Sequence, residues 1–153
     1  MKRFQQQGQD FSESIPQKVI FLGSDIFRGS VYGKGHPLNI ARVWQVIDLC
    51  RILGWLPDTA YRPVLPATAE QLSLFHTTAY ISALQDAERD QALDTARMEQ
   101  HRIGLDSNPI FADVFRRPAT AAAASLKAAD MLYDGQASRI FNPSGGTHHG
   151  LPD

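Results

Sequence analysis

Arg139-Ile140-Phe141-Asn142-Pro143-Ser144-Gly145-Gly146-Thr147-His148-His149-Gly150 is the stretch on which the reading of this chain turns. Arg139-Ile140-Phe141 follows a helical pattern that runs out near Asp134-Gly135, so it reads as a short strand, and Pro143 with the glycine pair then forces a turn. That order puts His148 and His149 just past the carboxyl end of a strand, where loops of open α/β sheets form a ligand crevice. Histidine takes and gives protons near neutral pH, and glycine lets backbone come close to a ligand. On these residues alone, a proton-handling site and an exposed loop that happens to hold two histidines stand level.

Working outward, Lys18-Val19-Ile20-Phe21-Leu22 closed by Gly23 has the profile of a buried strand. Ile40, Val43, Trp44, Ile47, Cys50 and Leu53 recur at helical spacing up to Gly54, which predicts an amphipathic helix over 38–53 with a glycine stop. Cys50 falls on its apolar stripe and reads as packing, not as a nucleophile. Thr68 caps a short helix through Phe75, a second helix runs from about Thr77 to Arg102, and a third spans Ile110 to Tyr133 with Pro118 as a kink or a new first turn. Ala121–Ala124 forms a small-residue face suited to a sheet. Short strands alternating with helices predict an α/β fold around a parallel sheet of two or three strands, Tyr61–Leu65 being the weakest of them. His36 and His76 read as structural and His101 as a residue of a charged helix face.

The 153 residues, 43% of them apolar, suffice for one core, and a formal net charge of -1 gives no reason to expect nucleic acid or an acidic membrane surface as partner. A single cysteine excludes an internal disulfide, and no apolar run approaches the length of a membrane span. Residues 1–17 read as a glutamine-rich flexible leader without signal-peptide character, and residues 18–153 as one domain, which places the chain in the cytoplasm.

Four blocks in order carry a resemblance. They are Tyr32-Gly33-Lys34-Gly35-His36-Pro37 with Arg42 after it, Leu74-Phe75-His76-Thr77-Thr78-Ala79-Tyr80, Asp106-Ser107-Asn108-Pro109-Ile110-Phe111 leading to Ser125-Leu126, and the glycine-histidine stretch quoted first. Together they resemble the N-terminal part of the histone deacetylase superfamily, the arginase-deacetylase fold, nearest to class I and bacterial acetoin-utilization-type members. The resemblance implies an α/β fold corresponding to the N-terminal portion of that parallel-sheet domain and stopping after the tandem-histidine loop. It also implies hydrolysis of an acetyl amide, on an acetylated protein or a small acetylated amine, by a zinc-bound water.

By the same resemblance His148 and His149 are the catalytic pair, Asp106 and Gly146 touch the substrate, and Tyr32 and Arg42 line the channel through which the acid product leaves. Asp106 would grip substrate backbone N–H groups, although an Asp before Ser-Asn-Pro is also an ordinary turn former. Arg42 suits a carboxylate product and equally suits a solvated helix face. Gly150 and Thr147 depart from the alanine and the bulkier residue common in the family. The family's zinc ligands, an Asp-x-His pair and a further aspartate, have no counterpart before Asp153, and no His-Glu-x-x-His or Cys-x-x-Cys replaces them. The isolated chain is therefore expected to lack hydrolytic activity, and its incomplete sheet to favour self-association. A non-catalytic binding module derived from the same fold is the alternative. A serine hydrolase using Ser144 or Ser107 finds no Gly-x-Ser-x-Gly motif around either residue.

Overall fold

The computed structural model describes residues 18–30, 32, 42–105 and 108–145. Strand β1 (Val19–Gly23) is central, flanked in parallel by β2 (Tyr61–Pro63) and β3 (Arg139–Phe141), giving the order β2-β1-β3. The register pairs Phe21 with Tyr61 on one side and with Phe141 on the other. Six helices fill the connections: α1 (Ile26–Gly29), α2 (Arg42–Ile52), α3 (Ala69–Leu72), α4 (Thr78–Asp90), α5 (Thr95–His101) and α6 (Arg116–Tyr133).

Alternation along β1 sorts its side chains between two layers. Ile20 and Leu22 are fully buried with Val64, Ala124, Met131 and Ala137, so the alanine face of α6 does lie on the sheet. Phe21 turns the other way and packs with Trp44, Ile47 and Leu56, with Cys50 beside them, which bears out the packing role of the cysteine. A strand covered on both faces needs the unbroken apolar run seen at 19–22. A third cluster, Ala83, Ala87, Ile103, Phe111 and Val114 with Tyr32 and Tyr80 at its margin, joins α4 to the segments before α6.

The single helix expected from Thr77 to Arg102 is two. Helix α4 stops at Asp90 because Gln91 adopts a left-handed backbone, φ 51°, and α5 restarts where the Asp94 carboxylate accepts the Arg97 N–H at 3.0 Å. A carboxylate that can bind the backbone two or three residues on favours a new N-cap over helix continuation. The helix expected from Ile110 likewise begins at Arg116, with Pro118 in its first turn, where the missing N–H costs nothing. Thr68 caps α3 in a reciprocal capping box with Gln71, although the helix closes at Leu72 before turns carry the chain to His76. Gly54, at φ +70°, ends α2 as anticipated. The stretch 38–41 and the leader 1–17 lie outside the described residues.

His101 is a correction. It closes α5 at only 7% exposure, its ring 5.7 Å from that of Tyr80, and does not sit on a charged face. Helix α5 folds back on α4 and carries its last residue inward, a tertiary effect that the local charge pattern conceals.

Glu88 on α4 links this layer to α6. Its carboxylate accepts the backbone N–H groups of Phe115 and Arg116, both at 2.9 Å, and the Arg116 Nε at 2.6 Å. These amides belong to the first turn of α6, which has no side-chain cap of its own, so a carboxylate 28 residues earlier does the capping.

Candidate functional site at the carboxyl edge of the sheet

Three parallel strands send three segments from the carboxyl edge of the sheet, and α6 meets those leaving β1 and β3 as well as the one leaving β2. The Ser138 N–H donates to Lys18 O at 3.0 Å at the amino end of β1, just after α6, whereas Ser125 meets the chain leaving β3. Helix α6 therefore runs opposite to the strands. Its first turns, about 12 Å beyond Ser125 at 1.5 Å per residue, overhang the carboxyl edge.

The exit from β3 is built around Asn142. Its Oδ1 accepts from the Ser144 N–H at 3.1 Å and the Ser144 hydroxyl at 2.6 Å, while its Nδ2 donates to Ser125 Oγ at 3.2 Å. Asparagine suits this turn because its amide mimics a backbone unit and still has a donor to spare. A Cβ at Gly145 would lie 3.3 Å from Asn142 Nδ2 and 3.6 Å from Ser125 Oγ, so a side chain there would press on the Asn142 amide. Ser144 is buried at 5% and fully engaged in the turn, a structural assignment that leaves it no free hydroxyl for nucleophilic work.

The exit from β1 passes through α1 to Ser30 and Tyr32. The Tyr32 ring sits 4.6 Å from Phe111, and the Arg117 guanidinium lies 5.0 Å from Tyr32 and 5.5 Å from Phe27. Arg117 is only 8% exposed and donates from Nη1 to Ser30 O at 2.5 Å. Sequence reasoning passed over Arg117 and Ser30, and named Ser125 only as part of a motif, with no role. The one signal was the pair Arg116-Arg117 in the first turn of a long helix, where the macrodipole disfavours cations.

Of the residues singled out from sequence, Tyr32 is placed at this edge, half-buried against Phe111. Arg42 opens α2 with an exposed side chain. His148, His149, Gly146 and Asp106 lie outside the described residues, as do His36 and Ser107. The flanks of Asp106 are described: Leu105 and Asn108 form a bridge, Asn108 Nδ2 donates to Arg102 O at 2.7 Å, and Gly104 takes φ +77°. Among the described residues no group of three or more His, Cys, Asp or Glu side chains could hold a metal ion, so the described residues by themselves do not fit a zinc centre.

Among the described residues, shifted titrations are found at β2 and along α4 and α5. Burial, with the Asp25 charge second, pushes the Tyr61 phenol above its usual value against the opposing pull of Arg51. Hydrogen bonds from Arg97 and then Arg89 hold Asp86 below the ordinary carboxylate range, and Asp90 and Asp94 are held down chiefly by Arg89 and Arg97 respectively. No described helix is long and apolar enough to cross a membrane.

Residues 36–153 match the histone deacetylase domain family. The chain is 30% identical over 132 residues to the acetoin utilization protein AcuC of Bacillus subtilis, covering 86% of this chain and 34% of that one. It is 31% identical over 141 residues to histone deacetylase HDAC1 of Drosophila melanogaster, covering 90% and 26%. The structure of an HDAC homolog from Aquifex aeolicus superposes with a TM-score of 0.82 at 32% identity over 88% of this chain and 36% of that one, and an HDAC homolog complexed with SAHA gives the same figures. This chain thus spans about a quarter to a third of the length of these relatives, and its three-stranded parallel sheet matches the fold of the solved homologs. The chain belongs to the histone deacetylase domain family.

Proposed function

We propose that this chain carries the proton-handling part of a zinc-dependent deacetylase that hydrolyses acetyl amides, on acetyl-lysine or a similar acetylated amine. The observation that carries the reading is the family match over residues 36–153, within which β3 delivers a bolted turn, Asn142–Gly145, immediately before the histidine pair. In this reading one of His148 and His149 accepts the proton from the attacking water and returns it to the departing amine, and the other supplies a partner charge. Asp106 and Gly146 hold the acetylated substrate, the carboxylate by accepting N–H groups. Tyr32 and Arg42 border the route of the acid product.

Zinc in the complete enzyme would activate the water, and its ligands are assigned to none of this chain's residues. A histidine pair without its orienting carboxylates has neither tautomer nor basicity fixed. The isolated chain accordingly does not turn over acetyl amides. Among the described residues β2 and β3 are the outer strands and Phe141 on the latter is half-exposed, which supports self-association or pairing with the remainder of such a domain. Cytoplasmic residence belongs to the same reading.

The test is acetate release from an acetyl-lysine peptide with zinc present. The 153-residue chain is expected to be silent, and joining it in frame to the part of AcuC that follows its matched third is expected to create turnover. Zinc-dependent turnover by the chain alone overturns the reading.

A further inference from the structure

Helix α2 turns Trp44, Ile47 and Cys50 to the sheet and leaves a second apolar surface on its outer side. Leu49, Ile52 and Leu53 follow one another at helical spacing and are 54%, 83% and 46% exposed. The helix then closes in a turn where Gly54, at φ +70°, donates its N–H to Arg51 O at 3.0 Å and the Trp55 N–H donates to Cys50 O at 2.8 Å. In a helix end of this form the residue after the glycine folds back beside the last helical turn, so Trp55, 73% exposed, extends the same patch. Single exposed apolar residues are ordinary. Four large ones side by side present on the order of 500 Å² of apolar surface, the size at which a patch marks a contact.

The charges around the patch balance, two of each sign. Arg28 pairs with Asp48 at 2.9 Å, and the Arg51 guanidinium lies over the Tyr61 ring at 4.9 Å, beside the turn that carries Asp58. The patch therefore has no net charge with which to select a charged partner or to repel its own copy. Widening the sheet at β2 or β3 does not cover it either, because further helices pack on the sheet beside α2 and not outside it. We propose that this outer face of α2 is a two-fold contact between two copies of this chain, with Ile52 near the axis. An apolar patch in a balanced rim is complementary to itself, which a two-fold contact requires. With the exposed Gln45 and Asp58 in that rim, the contact reaches about 800 Å² on each copy, the area a stable dimer needs. It rests neither on the deacetylase reading nor on the outer strands of the sheet.

The test is sedimentation equilibrium of the 153-residue chain from about 1 to about 200 μM, a range that brackets a micromolar dimer. The parent is expected to pass reversibly from one copy to two. Ile52→Lys and Ile52→Glu each set like charges across the axis and are expected to weaken the dimer at least about tenfold, the effect of losing one central contact. An equimolar mixture of the two variants should regain it. Ile52 is mostly exposed, so both variants should keep the far-UV circular dichroism of the parent. Leu74→Lys, at a side chain 84% exposed before α4, should leave the dimer unchanged. A parent that stays monomeric, a dimer or larger assembly that Ile52→Lys leaves intact, or a mixture of the two Ile52 variants that does not associate would overturn the contact. A monomeric chain leaves the deacetylase reading standing, and a silent AcuC chimera leaves the dimer standing, so the two are separable.

Discussion

Replacing Glu88 by alanine removes the cap of α6 from outside the helix. The carboxylate is 14% exposed and holds two backbone N–H groups at 2.9 Å and the Arg116 side chain at 2.6 Å. A hydrogen bond to a charged group contributes about 1.5–3 kcal/mol, but Phe115 and Arg116 lie near enough to solvent that water recovers part of both. The ion pair adds at most about 1 kcal/mol because Arg116 is 55% exposed. A net loss of about 2–3 kcal/mol follows, or about 4–12 °C in melting temperature for a chain of this size. Glu88→Gln keeps an acceptor for the amides but sets an NH2 group against Arg116, so it should fall between the parent and Glu88→Ala. Urea denaturation followed by far-UV circular dichroism and tryptophan fluorescence measures each difference. A loss below about 0.5 kcal/mol in Glu88→Ala, the range of ordinary surface changes, would refute the remote cap.

Three further outcomes are expected. Gly23→Ala places a methyl 2.8 Å from Tyr61 Cε2 and 3.1 Å from Ile47 Cδ1 and should cost about 1–3 kcal/mol in urea, whereas an unchanged midpoint would show that Tyr61 yields freely. Asn142→Ala strips the buried Ser144 hydroxyl of its acceptor and should cost about 1–2 kcal/mol and speed exchange of the Ser144 amide, while Asn142→Asp, which keeps the acceptor, should cost less; equal losses would contradict the turn. Asp86, Asp90 and Asp94 titrate below their ordinary range when folded, so their contribution is complete above the unfolded carboxylate value, about pH 4, and fades as pH falls through the lower folded values. Arg97→Gln should therefore differ from the parent at pH 6 and converge with it in strong acid, and a gap that stays constant with pH would exclude the linkage.

The parallel sheet was legible where one segment carries its own signal. Ile20–Leu22 is apolar on both faces because both are covered, and the spacing of Trp44, Ile47 and Cys50 marks the stripe that α2 turns to the sheet, whereas Leu53, expected on that stripe, lies past the helix and is exposed. Tyr61–Pro63 was faint because an edge strand of three residues, half-exposed and ending in proline, gains its identity from pairing with β1. The late start of α6 was hidden for a similar reason, since Glu88, remote in sequence, decides where α6 begins, whereas the break at Gln91 carried a local signal in the Asp94 cap that the helical spacing obscured. At the site, the motif order revealed the family before any coordinate did. Arg117 and Ser30 could not be found that way, since what marks them is burial and their contact across 87 residues of sequence.

The central claim is that His148 and His149 move the proton in a hydrolytic site of which this chain holds one part. Its most direct test is acetate release from an acetyl-lysine peptide, followed side by side for the chain, for the folded AcuC chimera, and for the chimera with His148→Ala and His149→Ala. The account predicts release from the chimera alone, lost when both histidines are replaced. Turnover that survives in a folded chimera without either histidine would contradict it.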